Sequence, residues 1–284
     1  MRPRKRRLTR VSSQHRMTRI LHVNIEELCG NNPMITIRKN QERGHADRGW
    51  LKSYFTFSFA DYHDPSHSGF RALRVINDDR IAPGKGFGPH AHRDMEILTY
   101  VLDGKLLHRD SMGERHTVGP NEVQAMSAGT GIVHSEFNAS EVEPVHLIQI
   151  WIEPEQEDLP PGYQQIAFAA SEKRGHFRLL AGPEASTSEP STIIHQDALF
   201  YVADLDPGET VTHRLRPERY AWAHIVRGSA EFNGHVLKEG DGAAISAEQD
   251  LSFTGHKLGG RSPRKPDRAQ PSEEGAEILL FDLP

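Results

Sequence analysis

From Met34 onward the chain alternates short runs of β-branched, aliphatic and aromatic residues with turn-forming Gly, Pro, Asp and Ser, and no long stretch repeats apolar positions at helical spacing. This pattern predicts strands over 70–77, 95–102, 122–126 and 145–152, separated by turn material such as Ala82-Pro83-Gly84 and Asp110-Ser111-Met112-Gly113. A second series follows at 177–180, 199–203, 221–226, 230–232 and 277–281. The expected fold is all-β, a sandwich or jelly-roll barrel. Two runs resemble one another: Met95 to Gly104 and Tyr220 to Gly228 are both apolar and both end in a Gly turn. Two tandem copies of one β-barrel, packed together, account for this economically. Between them, 153–162 is acidic and proline-rich and reads as part of a linker over 153–170, while 255–275, rich in Gly, Pro and charged residues, reads as a flexible loop before the last strand.

Length agrees, because 284 residues exceed the roughly 100 to 150 of one small sandwich. A hydrophobic content of 36% with 26% charged residues excludes collagen-like, low-complexity and wholly disordered chains. Nowhere does an apolar run approach the roughly 20 residues of a membrane-spanning helix, so no membrane association is expected. The single cysteine, Cys29, rules out an internal disulfide and suits a cytoplasmic protein. Charge is uneven. The first 19 residues carry eight cations and no acid, which leaves 26 cations against 39 acids in the remainder. A body of net −13 repels a phosphate backbone, so general nucleic-acid binding by it is not expected. Residues 1–33 read as a basic, disordered extension.

The chemical signal lies in Gly84-Lys85-Gly86-Phe87-Gly88-Pro89-His90-Ala91-His92-Arg93-Asp94-Met95-Glu96 and in Gly131-Ile132-Val133-His134-Ser135-Glu136-Phe137-Asn138, whose His134 lies 42 residues beyond His92. Residues two apart on a strand share a face, so His90 with His92, and His134 with Glu136, each aim two donors into one space. A chain with 17 histidines contains some His-x-His pairs by accident, and one pair alone is usually a solvated strand face. Two pairs in Gly-rich turn and strand contexts point instead to a metal site. Three neutral imidazoles and a carboxylate suit a first-row divalent ion and leave two octahedral positions for water, substrate or oxygen. The absence of thiolates argues against a finger-type zinc site. Glu96, four residues after His92, shares its parity and is a secondary candidate as ligand or hydrogen-bond partner.

Gly-x5-His-x-His-x3-Glu and Gly-x2-His-x3-Asn (Gly131, His134, Asn138) resemble the two cupin motifs. More narrowly, Glu42-Arg43-Gly44-His45, Thr56-Phe57-Ser58-Phe59-Ala60, Leu73-Arg74-Val75-Ile76-Asn77-Asp78-Asp79, the run from His92 to Leu102 and the run from Met126 to Glu136 resemble the pirin family, closely from 34 to 152 and more loosely to the C-terminus. The resemblance implies a bicupin: a metal-binding cupin over 34–152 and a degenerate cupin over 171–284. One divalent ion, Fe(II) or another first-row metal, would be held by His90, His92, His134 and Glu136. In the second half only His213 stands where a His-x-His pair belongs, with Leu215 two residues on. His213, His224 and His235 therefore read as surface or packing residues.

Bacterial-type pirins are associated with quercetin 2,3-dioxygenase activity, and eukaryotic-type members with iron-dependent transcriptional co-regulation. The first reading makes the chain an enzyme whose partners are a flavonol-like aromatic molecule and dioxygen. The flavonol would meet the metal through its 3-hydroxyl and 4-carbonyl, Glu136 would act as catalytic base, and the central ring would open with loss of carbon monoxide. Phe57, Phe59 and Phe87 are candidate walls for the flat ring. The second reading is a redox-responsive module that binds a regulatory protein partner without turnover. A third is an inert small-molecule-binding cupin.

Overall fold

A computed structural model describes residues 34–183, 189–256 and 275–284. Its strands are β1 (Met34–Arg38), β2 (Gly44–Asp47), β3 (Leu51–Phe55), β4 (Leu73–Ile81), β5 (Gly86–His92), β6 (Glu96–Asp103), β7 (Leu106–Asp110), β8 (Arg115–Val118), β9 (Glu122–Ser127), β10 (Ile132–Asn138), β11 (Val145–Ile152) and β12 (Gly162–Ala167) in the first half. The second half adds β13 (Arg178–Gly182), β14 (Thr192–Ile193), β15 (Leu199–Leu205), β16 (Thr210–Arg214), β17 (Tyr220–Phe232), β18 (His235–Lys238), β19 (Gly242–Ser246), β20 (Asp250–Gly255) and β21 (Ala276–Leu283). Short 3-10 turns at Asn40–Glu42 and Ala170–Lys173 are the helical elements among the described residues, and no helix there is long and apolar enough to cross a membrane. The expected basic extension, and 257–274 of the expected loop, lie outside the described residues.

The all-β, two-barrel architecture is the one expected. In the first barrel a seven-stranded sheet, ordered β12-β9-β6-β11-β4-β3-β2, is complemented by a four-stranded sheet, β5-β10-β7-β8. The second barrel repeats the plan with β1-β19-β17-β21-β15-β13-β14, where β20 joins β16 to the far end of β17 and β18 pairs with that end too. The long strand β17 thus does the work of both β6 and β7. It passes from one sheet to the other near a register shift between Ile225 and Arg227 and at Gly228, whose φ is 69°. A Cβ at Gly228 would lie 1.8 Å from the Gly275 carbonyl oxygen. Gly104, which closes the matching run, has φ 78°. Both glycines of the sequence repeat occupy backbone that side chains rarely adopt.

Pairing crosses the expected boundaries twice. Residues 34–38, assigned to the first domain by sequence, form β1 and pair with β19, from Met34 opposite Ser246 to Arg38 opposite Gly242. Inside the expected linker, β12 pairs with β9 from Gly162 opposite Ser127 to Ala167 opposite Glu122. Each crossing strand covers what would otherwise be an open sheet edge in one of the barrels. The acidic, proline-rich composition of 153–161 describes only the turn that leads into β12.

Alternation along β6 decides what each side chain sees. Leu98, Tyr100 and Leu102 join Ile148 and Ile150 of β11 in a core shared with Phe200, Trp222 and Phe281 of the second half. That core welds the barrels together, each fully buried large side chain contributing roughly 1.5–3 kcal/mol. At its margin Tyr100 Oη donates to Glu277 Oε1 at 2.5 Å, and Lys173 Nζ donates to the same oxygen at 2.6 Å. Burial by itself would raise the Glu277 carboxyl, but Lys173 and Arg227 hold it below the ordinary range.

Candidate metal centre

Strands β5 and β10 run antiparallel with His90 opposite His134 and His92 opposite Ile132. Gly86 permits the close approach of these strands, since a Cβ there would sit 2.2 Å from the Glu136 carbonyl oxygen. Beyond His134 the register shifts before Glu136 meets Phe87. Within this frame the imidazole rings converge, with centroids 4.4 Å apart for His90 and His134, and 4.8 Å for His92 with each of the others. One donor atom from each of the three lies within 4.8 Å of the other two.

Protonation suits ligation. Burial pulls His92 and His134 down to about 4, so both rings are neutral at pH 7. Nδ1 of His90 lies 2.8 Å from the Gly88 carbonyl oxygen, where it acts as the N–H donor, and this leaves Nε2 as the free lone pair. Nε2 of His134, in a residue only 2% exposed, has no hydrogen-bond partner. A buried, unpartnered ring nitrogen beside two further imidazoles fits a cation that it would ligate.

Glu136 is buried on the same strand face as His134 and groups with His134 and His108 in a second, overlapping cluster. Its Oε1 accepts from Gln124 Nε2 at 2.8 Å and its Oε2 from Gln149 Nε2 at 3.2 Å. Burial pushes this carboxyl up, yet His108, His134 and the Gln124 amide outweigh it and keep Glu136 ionised. The four residues expected as ligands are therefore divided between two triads joined at His134, the second completed by His108.

His108 went unnoticed in the sequence. It is fully buried on β7, opposite Glu136, with Nε2 3.1 Å from Asp110 Oδ2 and Nδ1 4.0 Å from Glu136 Oε1. The i, i+2 pair His108-x-Asp110 carries the same signature as the other two pairs, but it falls where no strand is predicted.

Glu96 stands elsewhere. After β5 the chain turns through Asp94, at φ 47°, and enters the other sheet, so the parity carried over from His90 and His92 does not apply. Glu96 lies on the β6 face turned to the second barrel, where it meets His195 Nδ1 at 2.9 Å and accepts from Ser127 Oγ at 2.7 Å. Of the three candidate aromatic walls, Phe57 packs on Trp222 in the shared core and is not at the site. Phe59 reaches it through Trp151, which stands edge-on to His92 at 4.9 Å, and Phe87 flanks His90. In the second half His213 bonds Asp282 at 2.9 Å, His224 is fully buried and His235 is exposed.

Two cupin barrels, of which one gathers imidazoles and a carboxylate into a partly buried donor set, define a bicupin with one divalent-metal centre among the described residues. The pirin family profile matches residues 36–152, and that of the quercetinase C-terminal cupin domain matches 179–258. The quercetin 2,3-dioxygenase of Escherichia coli K12 is 45% identical over 251 residues, which are 88% of this chain and 99% of that one. A pirin-like protein of Caulobacter vibrioides is 41% identical over 221 residues, 78% of this chain and 94% of that one. The crystal structure of the bacterial pirin YhhW from Escherichia coli in complex with nickel(II) aligns with a TM-score of 0.77 at 45% identity, covering 88% of this chain and 99% of that one. The chain belongs to the pirin family.

Proposed function

We propose that this protein is a metal-dependent dioxygenase that cleaves flavonols such as quercetin with dioxygen. Its ligands are His90, His92, His134 and Glu136, its resident ion is Fe(II), and its metal-binding unit spans 34–152 beside a degenerate cupin over 171–284, with β1 lent to the second sheet and β12 of the connecting segment to the first. The observation that carries this reading is the convergence of His90, His92 and His134, the last two held neutral, beside a buried, ionised Glu136. Identity to a quercetin 2,3-dioxygenase over nearly the whole of that enzyme supports the substrate class. We also place the protein in the cytoplasm, in keeping with its single cysteine.

When bound, the ion supplies Lewis acidity and open coordination positions for the oxygen atoms of substrate and dioxygen. The chain's own residues do the rest. Trp151, Phe59 and Phe87 offer apolar surface beside the imidazoles for a flat ring. Glu136, itself buried and kept as a carboxylate, accepts the proton of the 3-hydroxyl and holds it.

The test is aerobic and anaerobic quercetin depletion by protein loaded separately with Fe(II), Ni(II) and Co(II), with carbon monoxide measured. Oxygen-dependent depletion with one equivalent of carbon monoxide is expected, at least about 100-fold reduced in His134→Ala. Quercetin left intact by every loaded form, or consumed equally by His134→Ala, overturns the proposal.

A further inference from the structure

Both carboxylate oxygens of Glu136 are held by primary amides, and the orientation of those amides is fixed by a third residue. Thr99 Oγ1 donates to Gln149 Oε1 at 2.6 Å and accepts from Gln124 Nε2 at 2.9 Å. The remaining carbonyl, Gln124 Oε1, accepts from Tyr163 Oη at 3.2 Å. Thr99 fills the Gln149 carbonyl, and Tyr163, whose hydroxyl also lies 3.0 Å from Gln165 Oε1, stands at the Gln124 carbonyl, so that both NH2 groups point at Glu136. Thr99 and Gln124 are wholly buried, which shields the Gln124 bonds to Thr99 and Glu136 from water, while Gln149 and Tyr163 are half-buried. Tyr163 comes from β12, the strand that lies inside the expected linker.

The second barrel supplies an internal control. Thr99 pairs with Gln124 and with Gln149, as Ala223 pairs with Ala243 and with Leu280. Glu136 faces His108 as Phe253 faces Phe232. Thus the positions of Thr99, Gln124, Gln149 and Glu136 are filled by Ala223, Ala243, Leu280 and Phe253, and the amide network is present only where there is a carboxylate to hold. General stability of the barrel does not require it.

We propose that Gln124 and Gln149, oriented by Thr99, are positioning residues that fix the plane of the Glu136 carboxylate toward the metal centre. The proposal deepens the reading given above and rests on it. By occupying one lone pair on each oxygen, the clamp leaves one on each for an ion and restrains rotation of the carboxylate about its terminal bond.

The test uses the full-length protein with Ni(II) and Co(II) as probes. Gln124→Met and Gln149→Met keep the shape and remove the donors. Each is expected to weaken Ni(II) binding about 10- to 100-fold in competition with a chelator, and to shift the visible d–d bands of the Co(II)-loaded protein. Thr99→Val, which touches neither carboxylate nor ion, is expected to shift the same bands, and Thr99→Ser to restore them. Should the loss of Gln124 prevent folding, the Thr99 pair carries the same comparison. Wild-type affinity and an unchanged Co(II) spectrum in the folded variants, or failure of Thr99→Ser to do better than Thr99→Val, overturns the clamp alone. A wild type that binds neither ion overturns the metal centre and the clamp with it.

Discussion

The two barrels share one strand plan and an aliphatic part of their interiors, but differ at the positions around the donor set. In the first, β10 turns His134 and Glu136 inward and β7 adds His108. At the corresponding places the second has Leu251 and Phe253 on β20 and Phe232 on β17, with the two phenylalanine rings stacked at 4.5 Å. His213 does occupy the register position of His90, since it pairs with Leu251 as His90 pairs with His134. Lacking a second imidazole, it bonds Asp282 instead. The second interior is a dry aliphatic and aromatic cluster that includes Leu205, Val211, Leu215, Leu237 and Ile245. One scaffold therefore tolerates either a hydrocarbon filling or a set of titratable donors. The donor set is not needed to build a barrel, and its persistence in the first one is a statement about chemistry.

The sharpest way to break that contrast is to give the first barrel the second one's residue. His134→Leu removes the imidazole shared by both triads. The ion content should drop at least about tenfold on elemental analysis and flavonol turnover about 100-fold or more, while the urea midpoint stays the same or rises because a buried unpartnered nitrogen is lost. Retention of metal by this variant would show that His90 and His92 suffice. The reciprocal cut is Phe253→Ala. It opens a cavity where two rings stack, so stability should fall by about 3–5 kcal/mol in urea titrations while metal content is unchanged. A loss of metal in Phe253→Ala would mean that the barrels are coupled and the contrast is false.

Much of this was legible in the sequence for a physical reason: strands that bury one face alternate, and ligands on a shared face keep i, i+2 spacing. His90, His92, His134 and Glu136 could be picked out because each of their strands begins at or just after a glycine and carries two donors at i, i+2. Parity failed for Glu96, because alternation is a property of one strand and the turn at Asp94 starts a new one. His108 was missed because β7 is only five residues long and carries no contrast between apolar and polar positions. The pairing of β1 and β12 across the expected boundaries was not legible, since it depends on which edges stand open in three dimensions, and composition does not encode that. Gln124, Gln149 and Thr99 looked like ordinary strand residues. Only their register relative to Glu136 gives them a role.

The contrast also extends to the seam between the barrels, where a smaller effect can be tested by pH. Asp204, on β15 of the second barrel, is 6% exposed, and its Oδ1 has no hydrogen-bond partner. Burial, with Glu277 adding to it, pushes its carboxyl up to about 6 against the pull of Lys173 and Arg174. An acid whose folded value lies above its unfolded value of about 4 binds more protons when folded between those limits, so it costs stability as pH rises from about 4 through about 6. Asp204→Asn lacks this cost. Its advantage over wild type should be small at pH 4.5 and grow to about 1–2 kcal/mol at pH 7.5, read as the difference between urea unfolding free energies. The change should leave the Co(II) spectrum alone, because Asp204 faces the seam and not the metal centre. An advantage that is the same at both pH values would mean that Asp204 titrates like an exposed carboxylate, and that the seam is wetter than the buried core beside it.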